Sequence, residues 1–308
     1  MINNNQDQYK SDFYHYMFNN INLYREVLQK IILVYMYDYF YTDTINKHKQ
    51  NNLVFMWWTN LRLCYSLPRW SEDLDFVYIW KINEFPFKSM INYVVDRLKT
   101  NHSLDVEVKK TNKNTNVWKN FYVFSFGTIT NKTLRIKLEI DINPPKWWVI
   151  IKNIISNTFS YPKFIKPFSY NIITYNLDTT FMWKFWAILW RNYVKWRDIF
   201  DIWWYLNNLY LIQNLNFTYL NSVIEQINKS SNRSNKLDKI ELNEHGKIQF
   251  INLFTNKCMT ILREKKEEII NDVSSFILDE WIKNVFLNDL QTGSFLTKSN
   301  QLVGLPII

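Results

Sequence analysis

The spacing of apolar residues changes period partway along this chain, and that change confines the architecture. Over 53–142 short apolar runs alternate with polar residues in the two-residue rhythm of strands, at 53–56, 74–79, 104–108, 121–126 and 134–142. Short helices are predicted among them at 60–66 and 86–99, the second started by Pro86 in its first turn. A longer helix is predicted before them over 9–48, where Phe13, Met17, Ile21, Tyr24, Val27, Ile31 and Val34 recur at three and four residue spacings. Asn143-Pro144-Pro145 ends the strand run, because proline cannot donate to a ladder. After a connection containing Pro162 and Pro167 the pattern is helical, at 179–193, 197–211, 220–228, 248–266 and 269–286, with a polar linker over 228–237. The expected class is therefore α+β: a mixed-sheet core with an N-terminal helix over 1–165, followed by a helical domain over 166–308.

Two cysteines, Cys64 and Cys258, support neither a disulfide framework nor a zinc site. No stretch offers 18 uninterrupted apolar residues and the first ten residues are polar, so a soluble cytoplasmic protein with no membrane partner is expected. The net charge of +9 suits a polyanionic partner such as RNA, DNA or nucleotide phosphates. The same charge would also arise from the Asn, Lys, Ile and Tyr bias of an AT-rich genome.

The chemistry concentrates in two strands. Asp73 and Asp75 alternate on one strand and so project from one face about 7 Å apart, a spacing that can clamp a divalent cation. On another strand Lys137, Glu139 and Asp141 share a face, and either acid could supply a third carboxylate. Three acids on two strands is how a Mg²⁺ site for phosphoryl or nucleotidyl transfer is assembled. A D-x-D on a strand is also a common solvated face. In the helical half Lys184 and Arg191 lie seven apart on one helix face, and Arg197-Asp198-Ile199-Phe200-Asp201 opens the next helix, where an acid is equally an ordinary cap. Arg62 and Arg69 could meet phosphate, although arginine on a helix face or in a turn is ordinary. The four histidines, His15, His48, His102 and His245, show no paired metal spacing.

Taken in order, these residues resemble the AbiEii-type nucleotidyltransferase toxins of abortive-infection toxin–antitoxin pairs. The resemblance rests on Thr59...Leu61-Arg62...Ser71-Glu72-Asp73-Leu74-Asp75-Phe76, on Lys137-Leu138-Glu139 with the following Asn143-Pro144-Pro145-Lys146, and on Lys184...Ala187...Arg191...Arg197-Asp198...Asp201. It implies a nucleotidyltransferase-fold core plus a helical domain, Mg²⁺ or Mn²⁺ as cofactor, an NTP substrate, an RNA acceptor that is tRNA in some relatives, and a cognate antitoxin. Carried over residue by residue, Asp73, Asp75 and Glu139 would hold metal, Lys184 would hold the triphosphate and Asp198 would complete the catalytic set. Trp57, Trp58, Thr59, Ser71, Lys137, Arg191, Arg197 and Asp201 would line the nucleotide. Transfer to a small molecule or protein, or a catalytically dead RNA-binding relative, are the competing expectations.

The chain departs from that pattern where glycine is wanted. Trp57-Trp58 stand where the motif has two glycines, and 308 residues contain only 4 Gly against 14 Trp. Glycine serves such a loop because its backbone approaches phosphate and adopts positive φ without a Cβ. The expectation is that Trp57, Trp58, Trp147, Trp148, Trp183, Trp186, Trp190 and Trp196 are written from UGA codons that the source reads as glycine. The alternative is a tryptophan-rich and inactive variant.

Overall fold

The computed structural model describes residues 21–42, 52–79, 85–110, 119–126, 133–141, 150–157, 168–190, 195–208, 244–273, 276–294 and 297. They fall in two compact units, Met1–Ser66 with Trp70–Lys146 and Ile150–Tyr175, and Leu67–Arg69 with Trp147–Val149 and Asn176–Ile308.

In the first unit the described strands are β1 (Leu53–Met56), β2 (Asp73–Tyr78), β3 (Val106–Lys110), β4 (Lys119–Phe126), β5 (Leu134–Asp141), β6 (Ile150–Asn157) and β7 (Phe168–Tyr175). They form one mixed sheet in the order β3-β4-β5-β2-β1-β7-β6. β2 runs antiparallel to β1 and parallel to β5, and β1 runs parallel to β7. Alternation explains β5: Leu134, Ile136, Leu138 and Ile140 are buried, while Lys137, Glu139 and Asp141 between them are only partly so. β2 repeats the device with Leu74 and Phe76 inside and Asp73 and Asp75 on the other face. A slip of one residue would carry the acids into the core, so the register is strongly specified.

Helix α1 (Ile21–Thr42) buries Leu28, Ile32, Met36 and Phe40 in turn and packs on α3 (Phe87–His102). Buried Tyr37 donates its hydroxyl proton to Leu53 O at 2.7 Å and accepts the Ile173 N–H at 3.3 Å, which ties α1 to both β1 and β7. Burial pushes this phenol far above its ordinary pKa, so it stays neutral.

β6 and β7 lie where the pattern was read as a connection. β7 sits between β1 and β6 and buries Ile172, Ile173, Thr174 and Tyr175 consecutively, so it lacks the alternation of a one-sided strand. The other strands agree with the expected runs to within two residues at either end. The predicted 9–48 helix is described over Ile21–Thr42, and its remaining residues lie outside the described ones.

The second unit contains α4 (Leu177–Trp190), α5 (Trp196–Leu206), α6 (Glu244–Val273) and α7 (Glu280–Thr292). Asn176 Oδ1 caps α4 by accepting the Thr179 N–H at 2.9 Å. Phe181 stacks on Tyr205 at 3.6 Å between centroids, joining α4 to α5, and Phe185 meets Phe254 of α6 at 4.4 Å. A kink at Lys265 (φ −129°) divides α6 at the end of the expected 248–266 helix, while the expected helix at 269–286 is the end of α6, a break and the start of α7. Asp279 accepts the Trp281 and Ile282 N–H groups, and Ile277 forms a bridge with Arg69, so the chain has partners for leaving the helix. The predicted 220–228 helix and 228–237 linker lie outside the described residues.

Left-handed conformations show what scarce glycine does to this chain. Ser66 (φ 59°) and Ser103 (φ 52°) end α2 (Trp57–Tyr65) and α3, while Gly293 (φ 74°) does so for α7. The fourth such residue, Trp57 (φ 63°), is the first of α2, directly after extended Met56. A bulky side chain at positive φ is a strained choice, by about 1 kcal/mol or more. Trp57→Gly is therefore expected to exceed Trp57→Ala in stability by about 1 kcal/mol in urea denaturation. Equal midpoints would show that this residue does not hold a positive φ in solution.

Candidate active site

In the sheet unit the expected acids are brought into register. Parallel pairing sets Asp73 beside Lys137, Asp75 beside Glu139 and Val77 beside Asp141. Neighbouring strands are about 4.8 Å apart, so Asp75 and Glu139 are immediate cross-strand neighbours on the half-buried face, whereas Asp141 lies one pair further along. Lys137 Nζ donates to Glu139 Oε2 at 2.8 Å and lies 4.9 Å over the Phe121 ring. Partial burial opposes the Lys137 charge, but Glu139, Asp73 and Asp75 outweigh it and raise its pKa, so it is a cation at neutral pH.

The entry to β2 is fastened by small polar groups. Thr59 is fully buried on α2, donates its hydroxyl to Asp73 O and lies 2.7 Å from Ser71 Oγ. Gln29 of α1 donates to Ser71 O at 3.1 Å. Thr59 and Ser71, both expected to line the nucleotide, thus hold the backbone that presents Asp73. Trp57 is half-buried at the start of α2, where Trp58 follows it. Arg62 pairs with Glu26 at 2.7 Å and lies 5.2 Å over Trp70.

The helical unit gathers its charged residues in the interior. Lys184, Asp198 and Asp201 are 1%, 0% and 2% exposed. Lys184 Nζ lies 3.1 Å from Asp201 Oδ2 and 3.9 Å from Asp198 Oδ1. Burial lowers the Lys184 pKa to about 7, although Asp201 and Asp198 pull it upward. Arg69, also fully buried, donates Nε to Asp201 Oδ1 at 2.7 Å and Nη2 to Asp201 Oδ2 at 2.9 Å. Arg197 is half-buried with its guanidinium 5.5 Å from the Phe276 ring centroid. Arg191, Trp147 and Trp148 lie outside the described residues.

Sequence reading weighed Arg69 as a phosphate contact and missed its structural partner. The only signal was an arginine four residues before Asp73 and an acid one turn beyond Asp198, and nothing linear joins them. His102 sits 2.8 Å from the Tyr35 hydroxyl, and burial lowers its pKa.

Three carboxylates are a hard, oxygen-only donor set that suits Mg²⁺ or Mn²⁺ in kind. Among the described residues no three His, Cys, Asp or Glu side chains already converge as a metal cluster. Asp73, Asp75 and Glu139 are the residues that would hold the ion, and Glu139 would have to exchange the Lys137 ammonium for it.

Residues 52–279 match the family profile described as nucleotidyl transferase AbiEii toxin, type IV toxin–antitoxin system. The chain belongs to this family. It is accordingly a nucleotidyltransferase of a toxin–antitoxin system, which implies an NTP substrate and a cognate antitoxin. No curated protein matches it. Among solved structures it is similar to JHP933 from Helicobacter pylori, at 18% identity and TM-score 0.43 over 82% of this chain and 97% of that one. It is also similar to MenT4, a nucleotidyltransferase toxin from Mycobacterium tuberculosis, at 14% identity and TM-score 0.45 over 70% of each chain. No described helix is long and apolar enough to cross a membrane.

A Lys with a pKa near 7 when folded and an ordinary one when unfolded has a definite linkage sign. Between those values the unfolded chain binds more protons, so stability rises with pH from about 7 upward. Wild type is expected to gain on the order of 2 kcal/mol relative to Lys184→Met between pH 7 and pH 9 in urea titrations. A pH-independent difference would show that Lys184 keeps an ordinary pKa.

Proposed function

We propose that this chain moves a nucleotide from an NTP onto an RNA hydroxyl, with tRNA as the first acceptor to test, in a reaction that requires Mg²⁺ or Mn²⁺. The observation that carries this reading is the parallel register that sets Asp75 beside Glu139 and Asp73 beside Lys137. A bound divalent ion would neutralise triphosphate charge and orient it for attack. In the transfer, the acceptor oxygen bonds to the α-phosphorus, the bond to the bridging oxygen breaks and pyrophosphate leaves. In this reading Glu139 takes the hydroxyl proton, supported by its pairing with Asp75 on the face of the two aspartates. Lys137 donates to that carboxylate at 2.8 Å in the absence of a metal. The net charge of +9 supports an RNA acceptor, whose affinity is dominated by phosphate contacts.

The same reading takes the tryptophan at position 57 as glycine in the native product. The positive φ there supports it, and the mass of the tryptic peptide from natively expressed protein reads it directly.

The test uses protein carrying Trp57→Gly and Trp58→Gly, incubated with labelled NTPs, Mg²⁺ and total tRNA. Label on RNA is expected, falling by at least about a hundredfold in Asp73→Asn and in Asp75→Asn. Label found only on protein or a small molecule would overturn the RNA acceptor. Glu139→Gln is expected to lose as much activity as Asp75→Asn, and Asp141→Asn at least about tenfold less, since Asp141 lies one pair beyond. The reverse ranking in initial rates would make Asp141 the third acid.

A further inference from the structure

The sheet face that carries the acids does not stop at β5. Antiparallel pairing continues it outward across β4, where Phe121 lies beside Glu139, Val123 beside Lys137 and Ser125 beside Arg135. On β3, Lys109 then lies beside Val123 and Glu107 beside Ser125. Residues paired in this way project from the same face, so two rows run across the sheet. One is Asp75, Glu139 and Phe121, and the other is Asp73, Lys137, Val123 and Lys109. At about 4.8 Å per strand, Lys109 stands about 14 Å from Asp73.

The two sides of this outer sheet are unlike. Tyr122, Phe124, Phe126, Leu134 and Ile136 are buried on one side. On the other, Lys109 and Arg135 are exposed, while Phe121 and Val123 are only half-buried. An aromatic ring and a branched aliphatic side chain set among cations on a sheet face suit single-stranded nucleic acid, whose bases lie against apolar groups while its phosphates meet the charges. Lys137 Nζ, 4.9 Å over the Phe121 ring, braces that ring beside Glu139. The order of the groups also fits the end of a strand. Phe121 is one strand from Glu139, where the nucleoside bearing the attacking hydroxyl has to lie. Lys109 and Arg135 lie farther from the aspartates, where the preceding phosphates of the same strand pass. Glu107 stands in the Arg135 row and repels phosphate, which leaves the Lys109 row as the path off the sheet.

We infer that the β3–β4 part of the acid face binds the single-stranded end of the RNA acceptor, with Phe121 against its terminal nucleoside and Lys109 and Arg135 on the phosphates behind it. This rests on the RNA-acceptor reading and adds to it the residues of the acceptor strip and the direction in which the strand leaves. Every residue involved belongs to the sheet unit.

The test uses the full chain carrying Trp57→Gly and Trp58→Gly, the parent protein of the transfer assay. It is titrated by fluorescence anisotropy, at several salt concentrations, with unfractionated tRNA and with a labelled single-stranded RNA of about ten nucleotides. Lys109→Gln/Arg135→Gln is expected to weaken RNA binding about tenfold and to lower the salt slope by about 1 to 2, because two phosphate contacts are lost. Phe121→Leu is expected to weaken it about tenfold with the slope unchanged. The NTP KM of both is expected to stay within about twofold of the parent. Lys99→Gln removes one exposed charge from α3 and is expected to change RNA affinity less than about twofold. Parent-like affinity and slope in the strip variants, or an equal loss in Lys99→Gln, overturns the inference. So does a raised NTP KM with RNA affinity unmoved, which would give the strip to the NTP. Displacement of labelled RNA by poly-glutamate as readily as by tRNA, charge for charge, would make this a surface for acidic protein and overturn the RNA strand. Each variant is checked by circular dichroism, and the exposed Lys109 and Arg135 substitutions keep the test in force should Phe121→Leu not fold. A parent that binds no RNA overturns the RNA-acceptor reading and this inference together. A parent that labels RNA, with variants that match its RNA affinity, overturns this inference alone.

Discussion

Parallel pairing of β2 with β5 is the constraint on which the sheet unit rests. One face of that pair buries Leu74, Phe76, Leu138 and Ile140, and the other is left with Asp73, Asp75, Lys137 and Glu139. Hydrophobic burial thus does the work of assembling like charges. Carboxylates on neighbouring strands repel one another, and the apolar side chains behind them oppose any slip that would separate them. Lys137 reduces that repulsion, which explains why a cation sits in register with the first aspartate and hydrogen-bonded to the third acid.

The helical unit solves a different electrostatic problem. Arg69 and Lys184 are balanced by Asp198 and Asp201 with almost no exposure to water. Such a group of charges is stable only while it is complete, because removing one member leaves another buried without compensation. The aromatic packing around it, Phe181 on Tyr205 and Phe185 on Phe254, keeps water out and makes each electrostatic contact count for more. Each unit accordingly carries its own share of the family motif, one by strand register and the other by burial.

What could be read from the chain follows from how local each signal is. β1, β2 and β5 announce themselves through alternation, and the two aspartates on β2 with the acids of β5 could be placed on common faces for the same reason. The choice between Glu139 and Asp141 was not legible, because it depends on which residue pairs with Asp75, a fact of register. β7 was missed because Ile172, Ile173, Thr174 and Tyr175 are buried in succession, so both its faces are covered there and its period is lost. β6 was missed because Lys152 and Asn153 interrupt it and Ile154 is 59% exposed. The Arg69–Asp201 clamp was invisible because its partners are far apart in sequence and each has an ordinary local explanation. The family motif, by contrast, was readable even with Trp57 and Trp58 in place of glycine, since its acids and their spacing survive.

Tyr37 gives the sheet a property that no strand supplies. Its hydroxyl joins the first residue of β1 to the backbone of β7, so the four-residue strand that delivers the chain to Trp57 is anchored from a helix that holds none of the acids. The depth at which β1 ends, and with it the start of α2, is therefore referenced to α1. Sequence drift in α1 would be felt at the mouth of α2 as a change of position rather than of chemistry.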